Sequence, residues 1–104
     1  MAKSKVTFIQ TESDPQTGCA DWEIRIVGDG GYEVVGQIQK ETVWCGDGYC
    51  ADSYSVTVER ESWEESKDEC FQVANIWSRG RGLTARKALA ACKAFAREAL
   101  ANDL

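Results

Sequence analysis

From Val6 to Trp77 the chain alternates apolar and polar side chains with a period of two, and beyond Ser78 the period lengthens to that of a helix. A period of two puts successive side chains on opposite faces of a strand. Trp22, Ile24 and Ile26 alternate with Glu23 and Arg25. Tyr32, Val34 and Ile38 oppose Glu33, Gln37 and Gln39, and Tyr54, Val56 and Val58 oppose Ser55, Thr57 and Glu59. Val6 and Phe8 open a first strand, and Phe71, Val73 and Trp77 mark a last one. "GDGG" at 28–31 suits a tight hairpin, while "TESDPQTG" and "ESWEESKD" read as loops.

After "SRGRGL", Thr84 fits an N-cap, and Ala85, Ala88, Leu89, Cys92, Phe95, Ala99 and Leu100 recur at helical spacing. The expectation is an α+β fold in a single domain spanning 1–104. A five-stranded antiparallel, meander-like sheet occupies roughly 5–78. One C-terminal amphipathic helix, roughly 84–101, packs on one face.

The 104 residues suffice for one modest core, and no apolar run approaches the ~20 residues of a membrane span. "MAKSKVTFIQ" has no apolar stretch of the secretory kind, so a cytoplasmic location is expected, with thiols reduced or metal-bound. Charge is segregated. Through Ser78 there are 6 Lys/Arg against 15 Asp/Glu, and from Arg79 onward 6 against 2. An acidic body repels nucleic acid and attracts basic partner surfaces.

There are five cysteines and no histidine. That removes ordinary triads, leaves no imidazole to activate a thiol, and makes catalytic zinc improbable, so the chain is not expected to be an enzyme. In "WCGDGYC", Cys45 and Cys50 bracket a turn. They could form half of a structural zinc site, a cross-strand disulfide, or two free thiols. A reducing compartment favours zinc. With no histidine, Cys19 and Cys70 are the candidate companions, giving Cys19, Cys45, Cys50 and Cys70 as the ligand set. An ideal meander argues against it, because it places Cys19 opposite Lys40 and Cys70 near Arg60. Cys92, on the apolar helix face, reads as a buried small hydrophobe.

Around Trp63 lies a dense acidic run: Glu59, Glu61, Glu64, Glu65, Asp68 and Glu69. Carboxylates spaced on a surface can imitate a phosphate backbone, and an exposed Trp is a favoured interface anchor. Trp22 and Trp77 fit the core pattern; Trp44 reads as folding over a sheet edge. The alternative surface is basic and comprises Arg79, Arg81, Arg86, Lys87, Lys93 and Arg97.

The stretch "GRGLTARKALAACKAFAREAL" resembles the last helix of double-stranded-RNA-binding domains, in which basic residues at the helix start grip phosphates. The chain departs from that family in its five strands, its acidic body and the lack of a helix before the strands. In size, acidity and missing catalytic groups the whole chain is similar to the small inhibitors of phages and mobile elements, anti-CRISPR proteins among them. That resemblance implies binding to a CRISPR-Cas effector on the surfaces that normally hold nucleic acid. The functional expectation is therefore a non-enzymatic inhibitor that blocks target DNA loading. A nucleic-acid-binding module or a phage assembly protein is the alternative.

Overall fold

A computed structural model describes residues 4–44, 50–74 and 82–103. Five strands, β1 (Lys5–Ser13), β2 (Ala20–Gly28), β3 (Gly31–Trp44), β4 (Cys50–Val58) and β5 (Lys67–Gln72), precede a helix, α1 (Ala85–Leu100). A short 3-10 turn, Ala101–Asp103, follows it. The strands form one antiparallel sheet in the order β1-β2-β3-β4-β5, so each pairs with its neighbour in sequence. This is the α+β meander that the alternation predicts.

Local chemistry accounts for the connections. Asp14 closes the first turn: its carboxylate accepts from the Gln16 amide at 2.9 Å, and its carbonyl accepts from the Gly18 amide at 2.8 Å. Gly18 takes a φ of 76°, which favours glycine. Between β2 and β3, Gly28 pairs with Gly31 across Asp29 and Gly30. Thr84 caps α1 as expected, its Oγ1 accepting from the Lys87 amide at 3.1 Å.

The alternation of β3 is broken in its middle. Val27 pairs with Tyr32 and Arg25 with Val34, but Ile24 pairs with Gly36, so Val35 is an extra residue in the ladder. A β-bulge of this kind reverses which parity faces the core. Tyr32 and Val34, expected beside Ile38, instead lie on the outer face, 59% and 51% exposed, whereas Val35 and Ile38 are buried. The Val35 carbonyl accepts from the Glu59 amide at 2.8 Å, which satisfies the displaced backbone.

The core lies between one sheet face and the helix. Ile24, Val35, Ile38, Tyr54, Val56 and Val58 meet Ala88, Cys92, Ala96 and Leu100, the last four spaced every fourth residue. Three small side chains on that seam let the helix axis come close to the sheet. Ala85 of the expected face is exposed. The helix lies chiefly over β4 and β5, with lesser contact to β1. The other sheet face has no covering element among the described residues.

β5 begins at Lys67, within the stretch read as a loop, and pairs from Val58↔Lys67 to Ser53↔Gln72. Trp77 lies outside the described residues. Beyond Lys40, β3 pairs with β4 alone, so the two form an arm that outruns β2 and gives a long axis of 54 Å against 25 and 23 Å.

Gly36, on β3, stands opposite Val58 of β4. An added Cβ would run into the Thr57 carbonyl oxygen and crowd Val58 Cα. Both are backbone atoms and cannot rotate away. Gly36→Ala is expected to destabilise the fold by about 3 kcal/mol, read as a lower urea midpoint. An unchanged midpoint would show that the β3–β4 pairing is looser than described.

Candidate functional site

The loop between β4 and β5 gathers most of the acidic run around a groove of about 400 Å³. Glu59, Glu61, Glu64 and Glu65 line it, with Trp63 among them. Asp68 and Glu69 lie apart, on β5, where their partners Thr57 and Val56 put them on opposite faces of the sheet.

Two groups that the sequence does not mark as site residues, Glu33 and Arg60, complete the groove. Glu33 enters because the bulge at Val35 turns the start of β3, and its carboxylate pairs with Arg60 at 3.7 Å. The signal in the sequence was the run "VVG" at 34–36, where consecutive valines break the period of two. Arg60 is the one cation lining the groove, facing five carboxylates. Among the described residues, Glu59, Glu61, Glu64 and Glu65 have no ion-pair partner. Their field is therefore directed toward solvent and whatever approaches from it.

Trp63 is a wall of the site rather than a projecting anchor. Its indole is half-buried and packs against the core. Its Nε1–H donates to Asp103 Oδ2 at 3.2 Å, tying the loop to the end of the helical segment. Lys67 Nζ lies 4.5 Å from the centre of the ring.

The basic residues divide. Arg86, Lys93 and Arg97 follow one another along one flank of α1 at spacings of seven and four. Lys93 Nζ and the Arg97 guanidinium lie 5.6 and 5.0 Å from the Phe8 ring centre on β1. Lys87 points about 100° away from that flank. Arg79 and Arg81 lie outside the described residues.

Of the four candidate zinc ligands, Cys19, Cys50 and Cys70 have described backbone positions, and these are separated along and across the sheet. Cys45 lies outside the described residues. Cys70 pairs with Ser55, five residues along β4 from Cys50, or about 17 Å. Cys19 precedes Ala20 on β2, two strand spacings, or about 10 Å, from β4. Zinc holds its thiolates at ~2.3 Å, and the backbone positions of Cys19, Cys50 and Cys70 do not by themselves gather them around one ion. The expected register is also corrected. The bulge sets Ala20, not Cys19, opposite Lys40, and the early start of β5 sets Cys70 beside Ser55 rather than Arg60. No group of three or more Cys, Asp or Glu with metal-binding geometry occurs among the described residues.

The described thiols differ in environment. Cys19 and Cys70 are free and exposed, with Cys70 Sγ 3.0 Å from Ser53 Oγ. Cys92 is fully buried, and desolvation, followed by the charge of Cys70, pushes its thiol up to about 11. Burial likewise raises Tyr54.

In the unfolded chain Cys92 loses its proton near its ordinary value of 9.0, below the folded value. Its contribution is thus complete below pH 9 and is lost as pH rises toward 11, by about 3 kcal/mol at most. The urea midpoint should fall between about pH 9 and 11, and Cys92→Ala should flatten part of that fall. Native thiol labelling should modify Cys19 and Cys70 at once and Cys92 only on unfolding. Prompt labelling of Cys92 would contradict its burial.

No family model, curated protein or solved structure matches this chain, so its function has to be argued from its own residues.

Proposed function

We propose that this protein is a non-enzymatic inhibitor that docks its acidic groove onto the basic nucleic-acid channel of another protein, a CRISPR-Cas effector foremost, and blocks target DNA loading. The observation that carries the reading is the convergence of Glu33, Glu59, Glu61, Glu64 and Glu65 on one groove that, among the described residues, has Arg60 as its single lining cation. An effector's DNA channel is lined with lysine and arginine, and a rigid set of carboxylates competes there with phosphates. The tie from Trp63 to Asp103 limits the ordering cost of docking. Long-range attraction would raise the association rate and make it sensitive to salt.

A second reading rests on the basic flank of α1, where Arg86, Lys93 and Arg97 could meet phosphates directly. The net charge of −5 opposes it.

The test is a DNA-loading assay on guide-loaded Cas effectors with the full chain as inhibitor. The parent should form a complex that co-elutes and should block loading. The triple variant Glu61→Lys, Glu64→Lys, Glu65→Lys should inhibit about a hundredfold more weakly with an unchanged melting temperature. Inhibition that survives the triple change would move the interface off the groove. Tight binding of plain DNA or RNA at low salt, without an effector complex, would favour the basic flank.

A further inference from the structure

The two edges of the sheet are guarded unequally. β5 is six residues long and carries Lys67, Asp68 and Glu69, charges that discourage further pairing. β1 is nine residues long, and its central run Val6–Thr11 contains neither a charge nor a proline. It pairs with β2 on one side and, among the described residues, with nothing on the other, and Ile9 to Ser13 are exposed. Its one irregularity, at Thr11, lies near the far end.

A basic lip overhangs this open edge. Lys93 and Arg97 rest over Phe8, which points to the helix face of β1. Neither is ion-paired among the described residues. A strand added beside β1 would run about 4.8 Å away. A side chain opposite Phe8 on the same face would lie about 5 Å from it, within reach of both cations.

We infer that the free edge of β1 is a strand-addition site for an extended peptide of a partner protein carrying a carboxylate opposite Phe8. Main-chain hydrogen bonds along Val6–Thr11 supply sequence-independent affinity, and the Lys93–Arg97 lip selects the acidic side chain. A second copy adding its own β1 antiparallel would bring two such lips together and be repelled. The site is separate from the acidic groove and does not depend on the inhibitor reading.

The probes are two end-blocked nonapeptides of alternating threonine and valine, one with a central glutamate and one with a central lysine. They are titrated into the isotopically labelled full chain. The glutamate peptide should shift the amide resonances of Val6–Thr11 and bind about tenfold more tightly than the lysine peptide, equivalent to about 1.4 kcal/mol. The double variant Lys93→Glu, Arg97→Glu should invert that preference. Lys93→Gln, Arg97→Gln, a milder change that keeps the fold if the reversal does not, should abolish it. Failure of the glutamate peptide to bind by about 1 mM, shifts mapping away from β1, or equal affinity for both peptides would overturn the site. So would sedimentation showing that the chain dimerises through β1, which would give the edge to a second copy. Displacement of the peptide by a single-stranded oligonucleotide bound at the lip would give it to nucleic acid instead.

Discussion

The 2.8 Å hydrogen bond from the Glu59 amide to the Val35 carbonyl holds the extra residue of β3 in place. Without it the bulge would leave a backbone carbonyl unpaired inside the core. The displaced parity sends Ile38 inward and Tyr32 outward, where the ring is covered by the Arg25 guanidinium at 4.1 Å. The same reversal turns Glu33 toward Arg60 and adds a fifth carboxylate to the groove. Core, outer face and acidic site thus share one irregular residue.

Packing is one-sided. The alanine-lined seam of α1 closes on Tyr54, Val56 and Val58, and the charges left over are sorted by position. Carboxylates crowd the β4–β5 loop, while the helix flank facing β1 is basic. Separation along the chain, acidic before Ser78 and basic after it, becomes separation across the sheet because the helix lies over the strands with its cationic flank toward β1.

Much of the fold was legible, because burial on one face writes a period of two into strands and a period near four into α1. Thr84 as cap, Cys92 as core and the strand order follow from that alone. The bulge was not read, although "VVG" marks it, because a single break in a pattern does not say which side of it shifts. β5 was read too late, since Lys67, Asp68 and Glu69 look like loop residues when judged by polarity. They are polar because they stand on an edge. The acidic run could be read as a run, but not as a groove: what separates Asp68 and Glu69 from their neighbours is the pairing of β5, a long-range property. Cysteine spacing is equally silent on register, and could not say that Cys70 stands opposite Ser55.

The strict neighbour order of the strands also governs how the chain finds its structure. Each strand can pair as soon as the one before it is in place, across short turns with little closure entropy. No strand must wait for a distant partner, as in a Greek-key sandwich. Such local topology folds quickly for a β-rich domain. The exception is the helix, whose end is joined to the sheet by the Trp63–Asp103 bond, 40 residues apart. That bond, like the longer-range contacts of Lys93 and Arg97 with Phe8, needs both the sheet and the docked helix, so helix docking depends on strands already paired.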